Sequence, residues 1–330
     1  MLKTLNPTRP RAIEDLLNAE LIAKLDPLDL SSKRVFFGKL KGERRSKKRG
    51  QSVEFADHRG YVSGDDIRHI DWNIFARLDQ LFLKLFLEEE DLSLSIVIDC
   101  TASADCGEPG KFLFMQKAAM ALGYIGLINL NRVTCTAMGD SEGSLVSVLR
   151  DMRGRRRTHD LARWICSLSP TGADSGSPAT SPGPLSFTAP DRPLSTFSFK
   201  DAAERIAMSR RGKGVMLVFS DFFFKEGYEE GLRRLVGRGY DVFAIQVLSP
   251  QELDPSILGD LRLKDVEDGD MAEITVSAPL LKRYKANLAA YCQQLAAFCA
   301  QREMTLLTVR SDTPIDVLVL DYLRKRGVVK

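Results

Sequence analysis

From residue 91 onward, short apolar runs alternate with longer segments in which apolar residues recur at helical spacing. Such alternation is typical of a parallel sheet covered by helices on both faces. The pattern predicts strands over residues 93–99, 132–138, 144–149, 215–219, 241–247 and 305–309. It predicts helices over residues 111–130, 158–168, 200–208, 228–237 and 281–302, and a last helix from Pro314. The predicted fold class is therefore α/β, with a doubly wound and mainly parallel sheet.

Two stretches interrupt this alternation. Residues 169–195 are crowded with Ser, Pro, Gly and Thr and almost lack aliphatic side chains, which is typical of a flexible insertion. Within residues 249–278, apolar and polar positions alternate on either side of Asp268-Gly269, which predicts an inserted β-hairpin. Residues 1–90 lack the alternation, so we expect an N-terminal region over 1–90 and an α/β domain over 91–330.

Composition and charge narrow the class of protein. The chain has 330 residues, of which 44% are hydrophobic and 28% charged, as in ordinary soluble globular proteins. A net charge of +3 is too small to indicate a specific nucleic-acid partner. The longest uncharged apolar stretch, 118–130, is too short for a membrane span, and the first residues lack the apolar segment of a secretory signal. Six cysteines without a Cys-x-x-Cys pair are typical of reduced thiols, so we expect a cytoplasmic protein.

Polar side chains follow two of the predicted strands. Asp99 ends the strand 93–99, and Thr101 and Ser103 follow it at alternate positions; Ser220 and Asp221 follow the strand 215–219. Taken alone, Asp221 is better explained as a helix N-cap or a loop carboxylate. Two apolar strands that both end in Asp favour a shared crevice, because open α/β sheets bind ligands beyond the carboxyl ends of their strands. One carboxylate and two hydroxyls within five residues suit a hard cation such as Mg²⁺.

The Asp-x-Thr-x-Ser pattern resembles the metal-ion-dependent adhesion site of von Willebrand factor A domains, with Thr101 in place of the first serine. The resemblance implies a von Willebrand A-like fold and a bound Mg²⁺, with Mn²⁺ or Ca²⁺ as alternatives. It also implies a further acidic ligand, Asp221, and a threonine from the loop between the two strands. Our choice is Thr196, with Ser195 and Thr188 as alternatives. The implied metal ligands are Asp99, Thr101, Ser103, Thr196 and Asp221.

A second resemblance lies upstream, in the segment Gly-Asp-Asp-Ile-Arg-His-Ile-Asp-Trp of residues 64–72 and the sequence around it. This block is similar to the signature of the bacterial "domain of unknown function 58" family, which also carries an A-type domain. The resemblance runs from about residue 40 to the carboxyl terminus. The chain departs from the family pattern in two ways: Ala104 replaces the usual methionine, and residues 169–195 are longer and more polar than expected.

We expect the signature block to have a structural role. Ser63 is a candidate N-cap for a helix through residues 65–70, with acidic residues in its first turn. We interpret Trp72 as a packing anchor. The charged residues that we expect to form an ion network are Arg59, Asp66, Arg68, Asp71 and Arg77.

Residues 39–49 form a basic run, with seven Lys or Arg against one Glu. Phosphate binding is one interpretation of such a run. The absence of interleaved aromatic residues argues against base stacking. We favour a solvated loop that pairs with the acidic cluster 88–91.

The resulting functional hypothesis is a non-enzymatic protein-binding module that uses the metal site to engage an acidic side chain of a partner. Members of the resembled family are often encoded beside MoxR-type AAA+ ATPases, which implies an adaptor or co-chaperone role with such an ATPase. One alternative is a Mg²⁺-dependent hydrolase of the phosphatase type, but that class needs a second aspartate where this chain has Thr101. Another alternative is a metal-free scaffold.

Overall fold

The computed structural model describes residues 9–30, 54–87, 92–139, 145–171, 197–209, 214–236, 240–256, 259–264 and 271–330. The chain divides into two compact units, one of Met1–Arg34 with Leu92–Lys330 and one of Val35–Asp91. The second unit ends at Asp91, one residue beyond the N-terminal region that we expected over 1–90. The first thirty-four residues, however, group with the α/β domain. The reason is apolar packing, because Leu16, Leu17 and Leu25 are buried in the core of that domain.

The strands, in chain order, are β1 (Glu54–Gly60), β2 (Phe82–Leu87), β3 (Ser93–Asp99), β4 (Arg132–Met138), β5 (Val146–Met152), β6 (Gly214–Ser220), β7 (Tyr240–Leu248), β8 (Gly259–Lys264), β9 (Met271–Val276) and β10 (Thr305–Arg310). The helices are α1 (Ile13–Leu16), α2 (Ala19–Leu25), α3 (Trp72–Leu78), α4 (Lys111–Ile128), α5 (Thr158–Ser167), α6 (Phe199–Ser209), α7 (Glu229–Val236), α8 (Pro250–Leu253), α9 (Ala278–Ala300) and α10 (Ile315–Val317). A π-helical turn, Leu318–Leu323, continues α10.

The α/β unit contains a six-stranded sheet in the order β10-β7-β6-β3-β4-β5. All neighbouring strands are parallel except β5, which runs antiparallel to β4. This arrangement confirms the predicted doubly wound, mainly parallel sheet and the pairing of the 144–149 segment beside β4. From β3 the chain winds outward to β4 and β5, and from β6 it winds the other way to β7 and β10. The boundary between β3 and β6 is therefore the switch point at which such sheets bind ligands.

The central strand β3 is buried along its whole length. Leu94, Ile96 and Ile98 belong to the core that includes α4, whereas Val97 belongs to a second core on the other face, with α6 and α7. Burial on both faces explains why the run from Ile96 to Ile98 is continuously apolar rather than alternating. Helix α4 is long and apolar enough to cross a membrane by length and composition, but 83% of it is buried inside the protein, as in a core helix.

The predicted hairpin insertion is confirmed by an antiparallel pairing of β8 with β9, in which Gly259 lies opposite Val276. The turn at Asp268-Gly269 lies outside the described residues. The flexible insertion predicted at 169–195 lies outside them after Thr171.

The smaller unit, Val35–Asp91, contains the antiparallel pair β1–β2, a 3₁₀ turn (Ile67–His69) and α3. The prediction that Ser63 caps a helix through residues 65–70 is wrong. Asp66 caps the 3₁₀ turn by accepting a hydrogen bond from the Arg68 N–H, and Asp71 caps α3. Two adjacent short elements form because each aspartate satisfies its own set of free N–H groups.

The expected ion network takes the form of separate pairs among the described residues. Arg59 pairs with Asp65 at 2.8 Å, and Arg68 pairs with Asp66 at 2.8 Å. Asp71 instead lies 3.1 Å from His58 and 3.3 Å from Lys84.

The interpretation of Trp72 as a packing anchor is wrong. The side chain is 60% exposed, and its ring stacks edge-to-face on Phe75 at 6.0 Å. Trp72 is the first residue of α3, and the face that it shares with Phe75 and Leu78 remains largely exposed.

We expect the stability of the fold to be most sensitive to substitutions at the centre of the sheet. We expect Ile96→Ala to lower the free energy of unfolding by about 2–5 kcal/mol, because the fully buried side chain would leave a cavity beneath α4. Met208→Ala, at a position 66% exposed on α6, should change it by less than about 0.5 kcal/mol. Urea unfolding measures both, and equal losses would contradict this assignment of the core.

Candidate functional site

Asp99 lies at the carboxyl end of β3, beside the end of β6, because Ile98 pairs with Phe219 in the parallel register. Its side chain is fully buried. One carboxylate oxygen, Oδ1, accepts hydrogen bonds from the Thr101 N–H at 2.9 Å and the Thr101 hydroxyl at 2.7 Å. The other oxygen, Oδ2, accepts a hydrogen bond from the Ser220 hydroxyl. These donors fix the carboxylate at the switch point.

Thr101 and Ser103 lie on the turn that follows β3. Their hydroxyl oxygens are 3.0 Å apart, and both residues are buried. A 3₁₀ turn, Ala102–Asp105, carries Ser103 back toward the strand end. Arg9 holds this turn from the amino-terminal segment, since its guanidinium donates to Asp105 at 2.6 Å. The amino-terminal segment therefore helps to shape the site.

Asp221 directly follows β6 and is also buried. Its Oδ1 accepts a hydrogen bond from the Phe223 N–H at 3.0 Å. Its Oδ2 accepts one from the ammonium of Lys111 at 2.8 Å. The same ammonium donates to Glu252 at 2.7 Å. The second strand end thus carries a buried ion triad, with Lys111 between two carboxylates.

The buried charges influence one another. Burial, together with the negative charge of Asp221, raises the pKa of Asp99 from 3.8 to about 7, although the Ser220 and Thr101 hydrogen bonds act in the opposite direction. Burial disfavours the ammonium of Lys111, but Asp221 and Glu252 more than compensate and hold the Lys111 pKa above its ordinary value of 10.5. Lys111 is therefore charged near neutral pH, whereas Asp99 exchanges its proton there.

The residues around Asp99 fit a hard divalent cation. In an octahedral Mg²⁺ shell with oxygens at 2.0–2.1 Å, neighbouring oxygens lie about 2.9 Å apart. The contacts between Asp99 Oδ1 and Thr101 Oγ1, at 2.7 Å, and between Thr101 Oγ1 and Ser103 Oγ, at 3.0 Å, are close to that spacing. Among the described residues, no group of three or more His, Cys, Asp or Glu side chains is arranged to hold a metal ion. A site here would depend on hydroxyl oxygens.

The structure thus places Thr101 in contact with both Asp99 and Ser103, and it places Asp221 on the neighbouring strand end, bonded to Lys111. Thr196 lies outside the described residues, as do the alternatives Ser195 and Thr188.

Another hydroxyl from the same loop region lies at the carboxyl ends of the strands. The Thr171 N–H donates to the Cys100 carbonyl at 2.8 Å, and the Thr171 hydroxyl donates to the Gly139 carbonyl. Gly139 has a φ of +73°, and a side chain there would lie 3.1 Å from Thr101 and 3.2 Å from Phe197. Gly139 therefore lies against Thr101 and Phe197, and its carbonyl accepts from Thr171.

Sequence reasoning missed Lys111, Glu252 and the role of Ser220. A local signal existed for Lys111, because it is the first residue of a helix whose first turn has no acidic residue. A cation there opposes the helix macrodipole, so it requires a carboxylate partner from elsewhere in the chain. No comparable signal marks Glu252, which lies 141 residues away along the chain.

The raised pKa of Asp99 predicts how stability changes with pH in metal-free protein. Between about pH 4 and 7, the folded state retains a proton that unfolded Asp99 has lost, so this stabilising contribution is present at low pH and is lost as the pH rises. We expect the free energy of unfolding of the wild type, relative to Asp99→Asn, to fall across this range and then level off. Urea unfolding in the presence of a chelator measures this difference in the free energy of unfolding, and Asp201→Asn, at an exposed position, is the control. A wild type and an Asp99→Asn variant with parallel pH profiles would contradict the assignment.

Comparison with known proteins places the chain in a family. Residues 57–294 match the family model described as "Protein of unknown function DUF58". An uncharacterized protein from Mycobacterium bovis is 25% identical over 319 residues, which cover 96% of this chain and 93% of the relative. An uncharacterized protein from Mycobacterium avium is 27% identical over 130 residues, or 39% of this chain and 76% of the relative.

Solved structures resemble the chain more distantly. The conserved hypothetical protein BatB from Bacteroides thetaiotaomicron has a TM-score of 0.39 and 11% identity, and the alignment covers 71% of this chain and 98% of BatB. An aerotolerance-related membrane protein from Bacteroides fragilis has a TM-score of 0.41 and 12% identity, over 72% of this chain and 98% of that protein. Likeness at this level supports no inference about function. The match over residues 57–294 spans more than half of the sequence, and on that ground this protein belongs to the DUF58 family of proteins of unknown function.

Proposed function

We propose that this protein is a non-enzymatic binding module that holds a divalent cation, Mg²⁺ in the first place, at the end of β3. The observation that carries the proposal is a chain of contacts at the switch point of the sheet, in which the Thr101 hydroxyl lies 2.7 Å from the Asp99 carboxylate and 3.0 Å from the Ser103 hydroxyl. Three oxygens of the kind that Mg²⁺ prefers meet there, with Thr101 Oγ1 within hydrogen-bonding distance of the other two.

Each residue has a distinct task in this proposal. Asp99 supplies negative charge in a buried position, and Ser220 holds its second oxygen in place. Thr101 and Ser103 each offer an oxygen lone pair while the hydroxyl proton points to another acceptor. Asp221 contributes charge from the neighbouring strand. When bound, the cation supplies an open coordination position that a partner's carboxylate can fill.

We further propose that a threonine completes the site. Thr196 is our sequence-based choice, and Thr171 is a second candidate because its backbone and hydroxyl bind to Cys100 and Gly139 at the ends of β3 and β4. Either residue would add a neutral oxygen and leave the charge of the site unchanged.

The partner in this proposal is a protein with an acidic side chain in reach of the site. The family resemblance suggests a MoxR-type AAA+ ATPase, for which this protein would act as an adaptor or co-chaperone in the cytoplasm. Binding rather than hydrolysis is favoured because the position two residues after Asp99 is Thr101, which donates its hydroxyl to Asp99. A threonine hydroxyl does not act as a general acid near neutral pH.

If a cation binds at the end of β3, substitution of its ligands should weaken or abolish Mg²⁺ binding. Calorimetric titration of metal-free protein with Mg²⁺ should give one saturable binding event that Asp99→Ala abolishes, because the variant lacks the carboxylate that accepts from the N–H and the hydroxyl of Thr101. Thr101→Val and Ser103→Ala should each weaken it by about tenfold or more. Asp201→Ala, an exposed aspartate on α6, serves as the matched control. Unchanged binding in a folded Asp99→Ala variant would contradict the proposal.

Mg²⁺ affinity should also depend on pH. Because Asp99 must lose its proton to hold a cation and its pKa is about 7, the affinity should rise as the pH increases through 7 and level off above about 8. Titrations in two buffers of different ionisation enthalpy should also reveal proton release below pH 7. A flat affinity from pH 6 to 8 would exclude Asp99 as the titrating ligand.

A further inference from the structure

Lys111 is a buried cation with no role in the proposed function. It is the first residue of α4, its side chain is fully buried, and the first turn of the helix contains no acidic residue. Both burial and the positive end of the helix dipole disfavour a charged ammonium at this position. Such a charge persists only if carboxylates compensate for it.

Two carboxylates do so, and they are held in different ways. Glu252 is locked in place: its Oε1 accepts from Lys111 at 2.7 Å, and its Oε2 accepts from the Ser249 N–H at 2.7 Å. Ser249 in turn caps α8 by accepting from the Glu252 N–H. Asp221 is held by one backbone N–H, that of Phe223, so its second oxygen depends on Lys111 alone among the described contacts.

The helix that carries Glu252 is itself fixed to the loop before Lys111. Gly107 approaches Ser249 so closely that a side chain on Gly107 would lie 2.3 Å from it. Glu108 and Gln251 exchange two hydrogen bonds, at 3.1 and 2.6 Å. Lys111 and Glu252 therefore form a rigid unit, and Asp221 is the member of the triad that is free to exchange its partner.

We propose that Lys111 is a resident cation that competes with a divalent metal for the charge of Asp221, and that Glu252 tunes this competition by drawing the ammonium toward itself. The inference rests on the proposed metal site and adds its regulation. With Asp99 ionised, three carboxylates and one ammonium carry a formal charge of −2, which one divalent cation neutralises. Without metal, Lys111 stays bound to both Asp221 and Glu252, so neither of these carboxylates is left as an unpaired buried charge.

Two variants that differ only at Lys111 separate the competition from simple loss of structure. In Glu252→Gln, the ammonium has Asp221 as its one remaining carboxylate, so Mg²⁺ should bind at least about tenfold more weakly than in the wild type. In the double variant Lys111→Met with Glu252→Gln, the buried ion pair is removed as a neutral unit and Asp221 is released. That protein should bind Mg²⁺ at least about tenfold more tightly than the wild type.

The probe is Mg²⁺ alone. Its binding is measured by calorimetry at pH 8 and by the shift that it causes in the melting temperature, and circular dichroism shows whether each variant is folded. Equal affinity in the wild type and both variants, or tighter binding in Glu252→Gln, would overturn the inference and leave the metal site standing. Binding in the double variant but not in the wild type would support the competition and overturn metal binding by the natural chain. No binding in any of the three would overturn both. If the double variant does not fold, the direction of change in Glu252→Gln decides.

Discussion

The central physical constraint in this protein is the burial of carboxylates at the ends of two neighbouring strands. Parallel pairing of β3 with β6 places Asp99 and Asp221 at the same edge of the sheet, where both are almost inaccessible to water. Buried like charges repel each other strongly, so the fold must neutralise or pair them. It does both: Asp99 takes a raised pKa and three hydrogen bonds from side chains and backbone, and Asp221 binds the ammonium of Lys111.

This constraint explains why distant segments converge on one edge. The amino-terminal segment secures the turn that carries Ser103 through Arg9 and Asp105. The short helix α8, which precedes the β8–β9 hairpin, supplies Glu252 to the ion triad. The site is therefore supported by residues from distant parts of the α/β unit.

Much of the fold could be predicted because its signals are local. The apolar run of β3 that ends on Asp99, and the oxygen-bearing residues that follow it, lie within eleven consecutive positions, so their proximity does not depend on tertiary structure. Asp221 was predictable by topology, since parallel strands bring their carboxyl ends together. The contact between Lys111 and Glu252 was not predictable, because it joins positions far apart in the chain. Ser63 was misassigned because three nearby aspartates compete for the capping role, and tertiary pairing with His58 and Lys84 selects Asp71 at α3. The exposure of Trp72 shows the same limit: an aromatic residue at a helix start does not reveal which face the core will cover.

The most direct test of a cation site at the end of β3 is a crystal structure of the protein soaked with Mn²⁺ and recorded at the manganese absorption edge. We predict an anomalous peak within coordination distance of a carboxylate oxygen of Asp99 and of the hydroxyls of Thr101 and Ser103. A data set of good quality with no peak there, or with a peak only at some other position, would contradict the central claim.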